Sequence, residues 1–403
     1  MEQVEFLVVG CGPAGAQAAR EAAAGGMQTV VLEKDAVVGA KRVCAAGLRP
    51  GFCETFDLPR SIVHCDTPRL ALFDTNGREH EVMFGPGHTS TREELDGTMA
   101  GLAARAGAEI RTQSLLRTIV REGDAAIVEY ADLAGGERKH IRARSVFLAQ
   151  GATARLEAGS DDMKSAFADA RWQDGLMTTL QYRVFLDRPA DPIAYRTLEL
   201  HYYRARDGRQ IVAWMFPKRD HLAIGLGLLG KLAGRTLREE LDAFTERVRA
   251  RLYPSAMVTH VKEEGHLLYG GWPRSRFADA GVMLGGTAAG LVDATNGEGI
   301  FEAAMSGRLA AGAIAERRND PRAAAQAYAL ALGARFTRRL AHRVKLMRFL
   351  EERPARYGVL FEALARSRRF ADALQREDHE RCFADRAVLY MQALRFGARA
   401  LFA

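Results

Sequence analysis

Val4-Glu5-Phe6-Leu7-Val8-Val9-Gly10-Cys11-Gly12-Pro13-Ala14-Gly15 is the stretch on which the fold turns. Residues 4–9 form a short apolar run with large and β-branched side chains, as expected of a strand buried on both faces in a parallel sheet. Gly10 ends it. Pro13 to Gly25 is Ala-rich and predicts a helix that stops at Gly25-Gly26, where glycine caps a last turn at no steric cost. Gln28 to Glu33 then repeats the buried-strand pattern. Strand, glycine turn, helix and strand within about 30 residues form the opening of a dinucleotide-binding fold. In the turn, Gly10 permits the tight bend, Gly12 lets backbone approach a pyrophosphate, and Gly15 allows close helix packing. The helix start at Pro13 and Ala14 offers N–H groups and the positive end of a dipole to phosphate. Glu33, with Lys34 after it, ends the second strand, where an acid can bind ribose hydroxyls.

Further along, Leu95 to Ala106 reads as a helix, and Glu109 to Gln113, Ala126 to Tyr130 and Ser145 to Ala149 read as strands, the last running into Gln150-Gly151. Residues 176–230 carry Tyr, Phe, Val and Ile at strand-like spacing, which predicts an antiparallel sheet. Gly281 to Leu284 is again a short apolar strand, and Gly297 to Ala315 an Ala-rich helix. A nucleotide-binding layer therefore returns after a β-rich insertion. The expected architecture is α/β: a Rossmann-type FAD-binding domain from residues 1–70, 92–165 and 270–330, an inserted antiparallel substrate domain from 71–91 and 166–269, and a basic helical C-terminal segment, 331–403. One glycine turn near the N-terminus and a second glycine-rich segment near residue 290 suggest a bound flavin whose two ends are held by distant pieces of chain.

The 403 residues include 57 Lys or Arg and 50 Asp or Glu, for a formal net charge of +7. Residues 331–403 hold 16 of the basic and 8 of the acidic side chains, so the preceding chain is close to neutral. That distribution argues against a nucleic-acid-coating protein. Five cysteines, Cys11, Cys44, Cys53, Cys65 and Cys382, show no metal-type pairing and no disulfide framework, and no metal site is expected. No charged leader precedes the first apolar run and no apolar stretch is long enough to span a bilayer, so a cytoplasmic location is expected.

With these segments in view, the chain resembles the geranylgeranyl reductase family, FAD enzymes within the para-hydroxybenzoate hydroxylase-like superfamily. Gly10 to Gly15 with Glu33 is similar to its ADP-binding turn. Lys41-Arg42-Val43-Cys44-Ala45-Ala46-Gly47 resembles its cysteine loop, and Arg92-Glu93-Glu94-Leu95-Asp96 its Arg-x-x-Phe-Asp element. Ala213-Trp214-Met215-Phe216-Pro217-Lys218 with Ile224-Gly225-Leu226-Gly227 resembles the Tyr-x-Trp-x-Phe-Pro signature, and Gly285 to Ile300 the second FAD fingerprint. The resemblance implies cofactor contacts from Arg42, Cys44, Ala45, Arg92, Gly151, Gly285, Gly286, Thr287, Gly297, Gly299 and Ile300. It implies an apolar, lipid-like substrate lined by Tyr203, Trp214, Phe216 and Pro217. The chain departs from the pattern at Gly286 and Gln150, where acids are usual, and at Val212, where the signature has tyrosine.

The implied reaction is reduction of C=C bonds in an isoprenoid chain by hydride from the reduced flavin N5, which also needs a proton, and Cys44 is the candidate donor. His201 and His221 are weaker ones. The electron donor is left open between NAD(P)H and a ferredoxin. The alternative is a flavin monooxygenase or halogenase acting on an aromatic or secondary-metabolite substrate. In the tail, Arg335, Arg338, Arg339, Arg343, Lys345 and Arg348 accompany Phe336, Leu340, Val344 and Met347 at helical spacing. This basic amphipathic helix is expected either to dock on the protein or to meet anionic lipid at the inner face of a membrane, or an acidic donor protein.

Overall fold

The computed structural model describes residues 1–403 apart from 41–43, 83–86, 154–166, 231–233, 378–379 and 403. The strand Glu2–Val9 lies at the centre of a parallel array, flanked by Thr29–Leu32 and by Arg138–Leu148, with Glu109–Arg111 and Val282–Leu284 outside them. Phe6, Leu7, Val8 and Val31 are fully buried, because helices cover both faces of a parallel layer. The helix Pro13–Ala24 follows the glycine turn, with Gly12 at its N-cap. It packs against Ile300–Glu316 so closely that a Cβ on Gly307 would stand 2.1 Å from the Ala14 carbonyl oxygen. Thr91 caps the helix Arg92–Arg105 by accepting from the Glu94 N–H. The strand Ser114–Glu122 was not foreseen; it joins Ala125–Asp132 and Arg138–Leu148 in an antiparallel ribbon.

A second sheet of seven strands runs in the order Val258–Tyr269, Leu176–Leu186, Leu222–Leu229, Gln210–Pro217, Thr197–Arg204, Arg69–Phe73 and Glu79–Val82. Its pairings are antiparallel except for Thr197–Arg204 against Arg69–Phe73. Alternation sorts its residues onto two faces. Ile211, Ala213, Met215, Ile224 and Leu226 pack with Leu241 and Phe244 of the helix Gly234–Leu252. Leu72, Leu200, Tyr202 and Trp214 face instead the C-terminal helices, through Leu350, Tyr357 and Phe361.

The tail is helical, and the segment expected to be amphipathic is docked. A π turn over Gly333–Thr337 leads into the helix Arg338–Glu352. Phe336, Leu340 and Val344 are buried, and so are Arg339 and Arg343. Arg335, Arg339 and Arg343 turn inward to Glu377, Glu302 and Asp293. Arg338, Lys345 and Arg348 remain exposed. Half of the basic charge in 335–348 therefore serves buried ion pairs.

Candidate active site

A cavity of about 870 Å³ opens between the two sheets, near the top of the range that holds small molecules and cofactors. Gly10, Gly12, Pro13, Ala14, Glu33, Lys34, Cys44, Arg92, Gly151, Gly285, Gly286, Thr287, Gly297, Gly299 and Ile300 all line it, drawn together from both ends of the nucleotide-binding layer. Gly10 has φ +98°, and a Cβ there would stand 2.5 Å from the Ala149 carbonyl oxygen. Gly15 does not reach the cavity; its Cβ would meet the Gly10 carbonyl oxygen at 1.9 Å, so it fixes the approach of helix to turn. Gly12 is different. A Cβ there would find only ordinary contacts, 3.5 Å to Arg92 Nη2 and 3.9 Å to Asp96 Oδ2. The protein itself leaves room for a side chain at Gly12, and a cofactor phosphate is what that room and the free helix N-terminus suit.

Glu33 Oε2 accepts from the Cys11 N–H at 2.8 Å and Oε1 from the Asp35 N–H at 3.0 Å, so its carboxylate braces the turn beside the cavity. Lys34 turns to Asp35, 2.7 Å away. Arg92 is buried and forms a two-pronged pair with Asp96, at 2.8 and 2.6 Å. The Cys44 sulfur lies in the electrostatic neighbourhood of Arg92 and accepts from the Ala46 N–H at 3.4 Å. Gln150, at a position where the resemblance leads one to expect an acid, faces the cavity with an Oε1 that is buried and has no protein partner. A buried acceptor of this kind is costly unless something satisfies it, and a bound ribityl or phosphate-ribose hydroxyl would do so. The lining thus fits a dinucleotide-sized flavin. Gly286 departs from the pattern for a local reason: its φ is +55° and a Cβ would crowd Ala303 and Ala14, at 3.2 and 3.3 Å.

Trp214 brings the second sheet into the site. Its indole lies over Gly225, where a Cβ would stand 2.4 Å from the ring, and its Nε1 donates to Gln181 Oε1 at 2.9 Å. Gln181 in turn donates to Glu264, which pairs with Arg183, which pairs with Glu93 beside Arg92. This chain of polar groups, invisible in the sequence, fixes the indole relative to the cofactor side. Gly225→Ala is expected to push the ring off its seat and break the bond to Gln181, costing about 1–3 kcal/mol, as overpacking does. Tryptophan fluorescence and thermal unfolding would register it, and an unchanged indole environment would refute the packing.

Other expected residues sit elsewhere. Tyr203 does not face the site: it pairs with Ile211 and packs on Phe244 and Arg247, on the far side of the sheet. Its neighbour Tyr202 points to the opposite face, as successive strand residues do, where it lines a second, smaller cavity and donates to the Thr295 carbonyl at 2.8 Å. Phe216 lies outside the cavity, its ring covering Gly47, and the Pro217 carbonyl accepts from Thr89. Ala45 packs near Phe216, and its carbonyl accepts from Lys218. Arg42 falls outside the described residues. His201 pairs with Glu199 and stacks on Phe73, away from the cavity, and burial pushes His221 down to about 4. Lys218 was missed. Its amine is buried under the Cys44 loop with no carboxylate partner among the described residues, and desolvation lowers it to about 7.

A second cavity of about 390 Å³ adjoins the first, with Asp293, Thr295 and Asn296 lining both. Leu70, Leu72, Leu200, Leu350 and Phe361 line it together with Arg49 and Arg343. Arg49 pairs with Glu298 at 2.7 Å and with Glu302, and Arg343 with Asp293 at 3.0 Å. Among the described residues no cluster of side chains suits a metal ion.

No family model matches the chain. Among curated proteins it is 28% identical over 339 residues to a digeranylgeranylglycerophospholipid reductase of Methanothermobacter thermautotrophicus, covering 78% of each chain. It is 27% identical over 333 residues to the geranylgeranyl diphosphate reductase of a Synechocystis species, covering 79% of this chain and 76% of that one. Of solved structures, a geranylgeranyl bacteriochlorophyll reductase-like protein from Thermoplasma acidophilum superposes with a TM-score of 0.67 over 97% of this chain and 96% of that one, at 23% identity. A flavin-dependent brominase superposes with a TM-score of 0.67 over 92% of each chain, at 16% identity. The structural likenesses carry the fold and the sequence likenesses the kinship: the chain is a divergent relative of the geranylgeranyl reductases, an oxidoreductase on the fold with which flavoproteins hold FAD.

Proposed function

We propose that this protein saturates C=C bonds in a long apolar, isoprenoid-type substrate. The observation that carries the reading is that the flavin-sized cavity, lined by Trp214, abuts across Asp293, Thr295 and Asn296 a second chamber whose lining includes eight leucines and three aromatic side chains. FAD, when bound, supplies the hydride. The rest falls to the chain. Gly12 and the helix N-terminus receive the phosphates, Glu33 the ribose, and Gln150 and Thr287 the polar stretch between. Trp214, held by Gln181, presents an apolar wall against which an alkene can be oriented and from which water is excluded. Cys44 supplies the proton, and Arg92 beside it stabilises the sulfur when the proton has left.

The curated relatives named above are reductases of geranylgeranyl chains, which favours this reading over oxygenation or halogenation. The test is anaerobic: protein reduced by dithionite, NAD(P)H or ferredoxin is mixed with a geranylgeranyl lipid or diphosphate. Flavin reoxidation with a product heavier by two hydrogens per bond is expected. Unoxidised flavin with that substrate, together with hydroxylated or halogenated product from an aromatic one in air, would overturn the reading. Cys44→Ala is expected to retain FAD and slow product formation by about 10²–10⁴-fold; an unchanged rate would reduce Cys44 to a packing residue.

A further inference from the structure

The C-terminal helix Phe383–Phe402 carries apolar side chains on two opposite sides. Its inner side is anchored. Val388 and Leu389 pack on the cluster that holds Tyr357 and Phe361, and the buried Asp385 pairs with Arg376 at 2.8 Å while accepting from the Cys382 N–H. Its outer side is uncovered: Phe383 is 87% exposed, Tyr390 68%, Leu394 57% and Met391 50%. Phe383, Ala387, Tyr390 and Leu394 follow one another at steps of four, three and four, with Met391 beside Tyr390, so they share one face. Arg386 and Arg395, both exposed, fall on either edge of that face. The single acid between Phe383 and Arg395 is Asp385, and it is spent on the internal pair.

Large exposed apolar patches mark contact surfaces. Here the chemistry of the contact is given by its border: an apolar strip containing two aromatic rings, edged by arginines and free of acids, is the pattern of a helix lying in the plane of an anionic bilayer. The rings suit the boundary between head groups and acyl chains, and the long arginine side chains reach outward to lipid phosphates. No described helix is long and apolar enough to cross a membrane, so the contact is one of lying on the surface. The segment 335–348 is a poorer candidate, since its apolar face and half its charges are already used inside the protein.

We propose that the face Phe383, Ala387, Tyr390, Met391, Leu394, bordered by Arg386 and Arg395, docks the protein on an anionic lipid surface. The proposal stands on the surface alone and is independent of the reading of the flavin site. Full-length holoprotein is floated with vesicles of phosphatidylcholine containing about one part in three phosphatidylglycerol, and with phosphatidylcholine vesicles. Flotation with the anionic vesicles is expected, weaker with neutral ones and weaker as salt rises. The doubly substituted Phe383→Glu, Leu394→Glu protein should lose about tenfold or more in bound fraction while its FAD content stays the same, because both side chains lie outside the packed interior. Tyr390→Trp should shift its emission to the blue on addition of anionic vesicles alone. Absence of flotation, equal flotation of the double variant, or a dimer in solution that the same two substitutions split would each overturn the proposal, the last by showing that a second copy covers the face.

Discussion

Gly12→Asp is expected to yield a folded, colourless protein. A Cβ at Gly12 meets no backbone atom within 4 Å, so the parallel sheet and its helices are expected to remain. What changes is the ligand: a negative charge about 4 Å from a pyrophosphate at the effective dielectric of a partly buried site opposes binding by about 4 kcal/mol, and even half of that lowers FAD affinity at least about thirtyfold. The neighbouring guanidinium of Arg92 offsets only part of it, being already held by Asp96 at two points. Flavin absorbance relative to protein, with a thermal melt as control, reads the result. Gly15→Ala provides the contrast. Its Cβ would clash with the Gly10 carbonyl oxygen, so both the fold of the turn and the flavin should be lost together. Full flavin content in Gly12→Asp would refute the assignment of the turn to phosphate.

Glu302→Ala is expected to destabilise the protein by about 3–5 kcal/mol, the usual cost of leaving a buried charge without its partner. Glu302 is fully buried in the first turn of the helix Ile300–Glu316 and accepts from both Arg49 and Arg339. Removing it strands the buried Arg339 guanidinium and leaves Arg49 with Glu298 alone, between the second glycine segment, the loop after Cys44 and the C-terminal helices. A fall in melting temperature of about 5 °C should follow for a chain of this length. The pH dependence has a definite sign. Burial opposes ionisation of Glu302, but Arg49 and Arg339 more than offset it and hold the carboxyl below its usual value. Its contribution is therefore fully present above the unfolded-state carboxyl pKa and is lost as pH falls through the lower folded one. The parent protein should consequently lose stability on acidification more steeply than Glu302→Ala. Superimposable melts of the two proteins would show that the ion cluster does not support the fold.

The same residues show where a linear reading reaches and where it stops. The glycine turn, the strand before it, the helix after it and Glu33 are contiguous or nearly so, and their geometry follows from local sterics: glycine where a Cβ would strike Ala149 or Gly10, apolar runs where both faces are covered. Spacing alone was enough for these. Period two also predicted the second sheet, yet the resemblance pointed to Tyr203 as a substrate-lining residue, where the structure puts Tyr202 in the wall of the second cavity and Tyr203 on the other face. That choice depends on the register of Thr197–Arg204 against Gln210–Pro217, and a slip of one residue would reverse it. Six basic residues at helical spacing likewise read as a surface, until Glu302, Asp293 and Glu377 are seen to take three of them inward.

The sequence by itself therefore determined the nucleotide-binding layer, its interruption by a β-rich insertion, and a set of cofactor-site candidates most of which line the cavity, because each rests on backbone conformations and periodicities set within a few neighbouring residues. Tertiary structure alone decided that Gln181, Glu264 and Arg183 hold Trp214, that Lys218 lies buried beneath the Cys44 loop, that a second apolar chamber adjoins the first, and that the uncovered face of the tail belongs to its last helix. Those features join residues tens to hundreds of positions apart, and which charge or ring meets which is fixed only when sheets and helices have packed and excluded water from between them.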